Sequence, residues 1–316
     1  MTQSLPPSGA ARSPHALYLS GLSLAAVGAI CFSAKAIVAK LMYREGLDAV
    51  SVIALRMLVA VPFFLAMAWW SMRSASNPPR LARTDWLKLA GLGLVGYYAS
   101  SMLDFLGLQY ISAGLERLIL FLTPSIVLLM SVALLKRRVT SREWISLAVA
   151  YSGIVLVFWH DVHLGGRLVW LGAGLVFASA VTYAVYLLGS GELVKRLGSL
   201  RLVALAMIVA SLACIAQYAL LRPFGGLFVQ TPTVWVLALV NGTLCTVVPV
   251  LMTMMAVERI GAGNAAQAGM IGPVSTLFLG FWLLSEPITL LQLAGTALVL
   301  AGMFILSLKK PLQGDS

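Results

Sequence analysis

Ten apolar runs, separated by short polar or charged segments, fill this sequence between residues 17 and 308. An α-helix of about 20 apolar residues crosses the hydrocarbon core of a bilayer. The pattern therefore predicts an all-α integral membrane protein with ten transmembrane helices. The runs are 17–41, 49–71, 86–109, 113–135, 143–159, 167–189, 201–221, 233–256, 264–284 and 288–308.

Polar residues before two of the runs predict where helices begin. Thr140 and Glu143 have the spacing of a capping box, just before the fifth run. Ser285, Glu286 and Pro287 offer a polar cap and a proline for the start of the tenth helix. We therefore expect Glu286 to be a helix-start residue that faces water.

Composition excludes most soluble classes. Hydrophobic residues make up 60% of the 316 positions and charged residues 10%, with a mean hydropathy of +0.94. A soluble fold with so few charges could not cover its surface, so a soluble enzyme and a nucleic-acid-binding domain are both disfavoured. Cys31, Cys214 and Cys245 lie far apart in apolar runs, without the spacing of a disulfide framework or a zinc site.

The distribution of positive charge predicts the orientation. With the N-terminus in the cytoplasm, 15 of the 22 lysines and arginines lie on the cytoplasmic side and four on the outer side. Such an excess on one side follows the positive-inside rule. We expect an inner-membrane protein with both termini in the cytoplasm, and we do not read residues 1–16 as a cleaved signal peptide.

The two halves of the chain are related by an internal duplication. A shift of 149 residues brings Pro124 onto Pro273, Thr140 onto Thr289 and Gly153 onto Gly302. The same shift aligns residues 111–114 with 260–263 and Leu134-Leu135 with Leu283-Leu284, and a shift of 150 aligns 54–60 with 204–210. Coincidences of proline and glycine at one offset are hard to obtain by chance.

Five helices per repeat is an odd number, so the second repeat must enter the membrane from the opposite side. Inverted repeats are common in secondary transporters, in which the binding site lies between the halves. The predicted organisation is a disordered cytoplasmic N-terminus, two repeats and a cytoplasmic tail. These parts are residues 1–16, 17–160 (helices 1–5), 167–308 (helices 6–10) and 309–316.

Two stretches resemble the EamA-type repeat of the drug/metabolite transporter superfamily. The first is Tyr110-Ile111-Ser112-Ala113-Gly114, followed by Pro124 and Leu134-Leu135-Lys136-Arg137; the second is Ile260-Gly261-Ala262-Gly263, followed by Pro273, Leu284-Ser285-Glu286-Pro287 and Gly302. The resemblance implies a ten-helix transporter, commonly an exporter of amino acids or other small metabolites, without a nucleotide cofactor. The motifs identify the superfamily better than the substrate.

Ionisable residues inside the spans are the strongest candidates for a substrate site or gate, because they are costly in lipid. There are five, all in the first repeat: Lys35, Arg56, Asp104, Glu116 and Arg117. At 1.5 Å per residue, all five lie in the outer half of the membrane. Their counterparts in the second repeat are neutral: Ala184, Ala206, Thr253, Ala265 and Ala266.

Two interpretations of these charges remain open: a structural ion network, or contact with the substrate. We expect Arg56 to bind a substrate carboxylate, with Asp104 holding it when the site is empty. Lys35 would serve the same anion or balance Asp104. Tyr97 and Ser101, which share a face of the third helix with Asp104, and Tyr183 and Asn241 are further candidates, with helix packing as the alternative.

No G-x-S-x-G, H-E-x-x-H or Walker motif is present, and no resident metal or cofactor is predicted. His160 and His163 flank a short outer-loop segment with Asp161, which suggests only weak metal binding. The sequence therefore predicts a secondary transporter that exports a small metabolite, driven by an ion or proton gradient or facilitated. The alternatives are an uptake permease, a non-transporting helper subunit and an intramembrane enzyme; oligomeric state is left open.

Overall fold

The computed structural model describes residues 14–73, 81–136 and 139–307, which form helices joined by short loops. Within these ranges ten helices are long and apolar enough to cross a membrane, as predicted. They are α1 (Leu17–Arg44), α2 (Ala49–Arg73), α3 (Arg83–Leu108), α4 (Ala113–Leu134), α5 (Ser141–His163), α6 (Leu168–Gly189), α7 (Ser199–Leu221), α8 (Pro232–Gly261), α9 (Asn264–Leu284) and α10 (Leu290–Ser307). A short helix, Gly191–Leu197, connects α6 to α7.

Two predicted boundaries were wrong. Helical structure begins at Pro14, inside the N-terminal segment 1–16 that we expected to be disordered, and proline is favourable at the start of a helix. The segment with His160 and His163 is not a loop, because the fifth helix continues to Gly165. The remainder of the predicted N-terminus and the tail 309–316 lie outside the described residues.

The predicted cap of α5 is confirmed, whereas that of α10 is at another residue. The Thr140 hydroxyl accepts a hydrogen bond from the Glu143 amide, and the Glu143 carboxylate accepts one from the Thr140 amide. At the start of α10 the same reciprocal pair joins Thr289 and Gln292. Ser285 instead takes a left-handed conformation that ends α9, so the chain must turn before α10 begins.

Matching irregularities in the two halves support the duplication. A π-helical turn at Leu94–Ala99 interrupts α3, and another at Thr243–Val247 interrupts α8, starting 149 residues later. Lys136 and Ser285, also 149 residues apart, are the two non-glycine residues with positive φ in the described chain. A π-turn and a left-handed residue are uncommon, so their recurrence at one offset indicates a shared ancestral repeat.

Helices of one repeat pack mainly against helices of the other. The most extensive contacts are α5 with α10, α1 with α8, α2 with α7 and α3 with α6. The duplication maps the α5–α10 pair and the α2–α7 pair each onto itself. It maps the α1–α8 pair onto the α3–α6 pair. The two repeats therefore share one interior, which lies between them.

Glycines permit the closest of these contacts. On α3, Gly107 faces the Gly172 carbonyl of α6, and a Cβ at Gly107 would lie 2.6 Å from that oxygen. The reciprocal Cβ at Gly172 would lie 2.8 Å from the Gly107 carbonyl. Small residues at such positions let membrane helices approach backbone to backbone.

The tryptophans mark the membrane boundaries. All eight lie within four residues of an end of a spanning helix, and most are exposed on the protein surface. Tryptophan prefers the interface between lipid and water, so these positions form two aromatic belts. They are Trp69, Trp70, Trp86, Trp144, Trp159, Trp170, Trp235 and Trp282.

Replacing Gly107 with alanine should destabilise the protein by about 1–3 kcal/mol, because the methyl group meets backbone atoms that cannot move aside. Gly91→Ala is the matched control on the same helix, since nothing lies within 4 Å of its added Cβ. It should be neutral or slightly stabilising. Thermal unfolding of the purified variants in detergent measures both. Equal unfolding temperatures for the two variants would contradict the close α3–α6 contact.

Candidate functional site

A cavity of about 210 Å³ lies between the two repeats. Helices α1 to α4 of the first repeat and α6 to α8 of the second contribute its walls. Seven of the nine candidate site residues line it: Lys35, Arg56, Tyr97, Ser101, Asp104, Arg117 and Tyr183. The others, Glu116 and Asn241, lie behind the wall and contact residues that line it.

Lys35 is bound to both acidic residues of the charge cluster (Lys35, Arg56, Asp104, Glu116 and Arg117). Its Nζ lies 2.5 Å from Asp104 Oδ2 and 3.1 Å from Glu116 Oε1. All three side chains are buried, with exposed fractions of 4% for Lys35, 3% for Asp104 and 1% for Glu116. One ammonium thereby bridges two carboxylates and connects α1 to α3 and α4.

Arg56 is positioned by the second repeat. Its Nε donates to Thr246 Oγ1 at 2.8 Å, and the Thr246 hydroxyl donates to the Asn241 carbonyl at 2.7 Å. Thr246 belongs to the π-turn of α8, where the hydroxyl reaches a carbonyl five residues earlier. The guanidinium also lies 5.2 Å from the centre of the Phe105 ring.

Arg117 lies at the N-terminal part of α4 and contacts both repeats. Its guanidinium carbon lies 4.9 Å from the centre of the Phe32 ring. The other neighbour is Gly272 of α9, where a Cβ would lie only 2.5 Å from Arg117 Nη2. The Arg117 Nε is buried without a hydrogen-bond partner. Glycine at position 272 therefore provides the space that this arginine occupies.

The two arginines have no acidic partner, which corrects one expectation. Among the described residues, no carboxylate lies within 4.0 Å of a guanidinium nitrogen of Arg56 or Arg117. Asp104, which we expected to hold Arg56, is instead bound by Lys35. The helix packing places Lys35 of α1 next to Asp104. It places the Thr246 hydroxyl, rather than a carboxylate, next to Arg56.

Aromatic and hydroxyl side chains form the rest of the cavity wall. The rings of Tyr97 and Tyr183 have centres 5.9 Å apart, and both contact Tyr186 behind them. Ser100 and Ser179 are within hydrogen-bond distance of each other, at 3.0 Å, and join α3 to α6. These residues place a partly apolar surface beside the charges.

Thr246 is the main site residue that we did not predict. It lies in an apolar run and carries no charge, so single-residue inspection gave no reason to select it. The duplication could have identified Thr246, because this residue is the counterpart of the candidate Tyr97 at a shift of 149. Ser101 and Val250, related by the same shift, also both line the cavity.

A second set of contacts lies near the C-terminal end of α1; we call it the latch (Lys40, Arg44, Ala113, Leu284 and Glu286). The Glu286 carboxylate lies 2.8 Å from Lys40 Nζ and accepts from the Ala113 amide at 3.2 Å. Arg44 Nη2 donates to the Leu284 carbonyl at 2.5 Å. Glu286 therefore does not simply face water at the start of α10, because it joins α1 to the N-terminus of α4.

Neighbouring contacts at the same end connect further loops. Ser112, which caps α4, donates to Asp161 at 2.6 Å, and Arg222 donates to Asp48 at 2.5 Å. Partial burial of Asp48 opposes ionisation, but hydrogen bonds from Ser51 and Arg222 outweigh it and lower the pKa of this carboxyl. In the described part of the chain no three His, Cys, Asp or Glu side chains are grouped as a metal site.

Comparisons with known proteins agree with this architecture. The chain matches the EamA-like transporter family twice, over residues 19–159 and 170–308. It is 30% identical over 301 residues to "Uncharacterized transporter YcbK" of Bacillus subtilis (strain 168), covering 90% of this chain and 92% of that protein. It is 28% identical over 238 residues to an "Uncharacterized transporter" of Archaeoglobus fulgidus, covering 73% of this chain and 81% of that one.

A solved structure has the same fold. The structure, titled "Crystal structure of protein", superposes with a TM-score of 0.64 at 15% sequence identity. The alignment covers 93% of this chain and 99% of the other. At this identity the similarity concerns the fold alone.

Removing the lysine should have a large structural effect. Lys35→Met leaves two buried carboxylates without a cation, which costs about 3–5 kcal/mol. The triple variant Lys35→Met, Asp104→Asn, Glu116→Gln should recover much of the lost stability. Arg56→Met is the control, since it removes a buried cation that holds no carboxylate. Thermal unfolding in detergent compares them, and a Lys35→Met protein as stable as wild type would refute the double ion pair.

Proposed function

The chain belongs to the EamA-like transporter family, and from that premise we propose that it exports a small metabolite by alternating access around the central cavity. One observation carries the proposal: a cavity with polar and charged walls lies inside the membrane region, between two repeats of opposite orientation. Secondary transporters bind their substrates near the midplane at such a repeat interface. The solute would be an amino acid or a related amphipathic compound.

The latch supports a gating role for one end of the bundle. Lys40 lies five residues beyond Lys35 on α1, so the latch is about 7 Å closer to that helix end than the charge cluster. Its contacts join α1, the start of α4 and the segment after α9, which belong to both repeats. Opening to this side would require these contacts to break as the repeats rock against each other.

Charge asymmetry supports the proposed direction of insertion. The latch end carries few lysines and arginines outside the spans, whereas the opposite end carries most of them. Under the positive-inside rule the latch faces outward and both termini lie in the cytoplasm. A closed latch would then separate the cavity from the outside of the cell, as expected of a state that loads its substrate in the cytoplasm.

The function is tested first by transport. The purified protein in liposomes should move a solute across the bilayer without changing it chemically, and overexpressing cells should tolerate toxic amino acids or analogues better than deletion cells. An enzyme would alter the solute, and a helper subunit would neither move nor alter it. Overexpression that increases sensitivity instead would show uptake. The Gly91→Ala protein should transport like wild type. It therefore controls for the effects of expressing, purifying and reconstituting a variant protein.

Access to the cavity can be followed with one cysteine. In a variant lacking Cys31, Cys214 and Cys245, Ser101→Cys places a thiol in the cavity wall. Adding Glu286→Gln removes the charge of the latch, so labelling by an impermeant maleimide from the outer face should rise several-fold. Glu192→Gln is the control, because its exposed pairing with Lys88 at 3.6 Å contributes little. Unchanged outer labelling in the Glu286→Gln protein would contradict the gate.

The orientation has its own test. A C-terminal fluorescent reporter that matures only in the cytoplasm should be bright, and one that is active only outside the membrane should be inactive. The reverse result would place the latch on the cytoplasmic side and overturn the proposed direction of closure.

A further inference from the structure

We infer that the substrate presents a carboxylate to Arg56 and Arg117, either as a small organic anion or as the anionic end of an amino acid. The inference rests on the proposed function in one respect, that the cavity is the substrate site. It goes further than that function in three respects: the charge of the bound group, the two residues that bind it, and the reason that a third cation, Lys35, does not bind it.

The charge cluster carries a net positive charge. Three cations and two carboxylates give the cluster a net charge of +1, and neither arginine has an acidic partner within 4.0 Å in the described part of the chain. A buried charge without a counterion is expensive in a low-dielectric interior. An anionic ligand would supply the missing negative charge, whereas a cationic ligand would add to the excess.

The three cations of the cluster have different partners. Lys35 is bound by Asp104 and Glu116, so its ammonium is already compensated. Both carboxylates contact Lys35, and neither makes a direct ion pair with Arg56 or Arg117 among the described residues. Lys35 is therefore a positioning residue, and Arg56 and Arg117 are the groups that remain for a ligand.

The two arginines have terminal nitrogens that can bind a ligand in the cavity. Both line the cavity, with exposed fractions of 5% for Arg56 and 9% for Arg117. Arg56 uses its Nε for Thr246 and Arg117 makes no hydrogen bond within the described ranges, so the terminal nitrogens face no carboxylate. A planar guanidinium binds a carboxylate through two parallel hydrogen bonds, and Phe105 and Phe32 support the two guanidinium groups.

The remaining wall indicates the rest of the substrate. Leu120, Phe121, Met207 and Val250 line the cavity together with the rings of Tyr97 and Tyr183. These side chains suit an apolar or aromatic body next to the carboxylate. At about 210 Å³ the cavity is smaller than pockets for drug-sized ligands, so the substrate is a small metabolite.

The test measures binding rather than transport. The purified protein in detergent is titrated calorimetrically with phenylacetate, phenylacetamide, 2-phenylethylamine and inorganic phosphate. Phenylacetate should bind at least about tenfold more tightly than its neutral amide, and the amine should bind more weakly still. Phosphate, an oxyanion without an apolar body, should bind more weakly than phenylacetate.

Four variants assign the effect to residues. Arg56→Lys and Arg117→Lys keep the charge but lose the planar fork, so each should weaken phenylacetate about tenfold while leaving the amide unchanged. Gly272→Ala should also weaken phenylacetate, because its methyl group displaces Arg117. Arg201→Lys is the matched control: Arg201 is a buried arginine outside the cavity, and this variant should bind like wild type. Thermal unfolding confirms that each variant is folded.

The failures of the two proposals are distinguishable. Equal binding of acid and amide, preference for the amine or for phosphate, or no binding of phenylacetate would overturn the anion assignment, even if liposomes show transport. Binding that survives in Arg56→Lys and Arg117→Lys would overturn the residue assignment. If phenylacetate binds as expected but no solute moves in liposomes, the anion site stands and the transport function falls.

Discussion

The interaction on which the cavity depends is the pairing of Lys35 with two carboxylates inside the membrane. Asp104 and Glu116 come from α3 and α4, and each would be costly in lipid without a cation. Because one lysine pairs with both, it holds α1, α3 and α4 together, and the two arginines have no acidic partner among the described residues. The same contact thus supports the fold and sets the electrostatic potential of the cavity.

The charge cluster is confined to one repeat, although the backbone is duplicated. The counterparts of its five members are four alanines and a threonine, whereas the π-turns of α3 and α8 and the left-handed residues occur at matching positions in both halves. The second repeat contributes in another way: Thr246 positions Arg56, and Gly272 makes space for Arg117. Duplication therefore supplied a symmetric scaffold, on which one half carries the charges and the other shapes their surroundings.

Particular residues show why prediction succeeded for the fold and only partly for the site. The spans and the Thr140 cap depend on neighbours within a few positions, and both were predicted. The cap of α10 was assigned to Ser285 and Glu286, while its true position, Thr289, is the counterpart of Thr140. For the site, seven of nine candidates line the cavity and Lys35 does balance Asp104, but the contact of Arg56 with Asp104 was wrong and Thr246 was missed. Residue number gives the depth of a side chain along its helix. It does not give the rotation of the helix about its axis, which decides which side chains meet.

By itself, the sequence determined that the chain has ten membrane helices in two repeats and which residues bring charge into the membrane. Hydropathy and internal similarity are properties of the chain, independent of how the helices pack. Only the tertiary structure decided which charges meet. Lys35 and Asp104 are 69 residues apart, Arg56 and Thr246 are 190 apart, and Lys40 and Glu286 are 246 apart. Side-chain hydrogen bonds require contact within about 3 Å, and over such separations that contact is fixed by the rotation and crossing of packed helices.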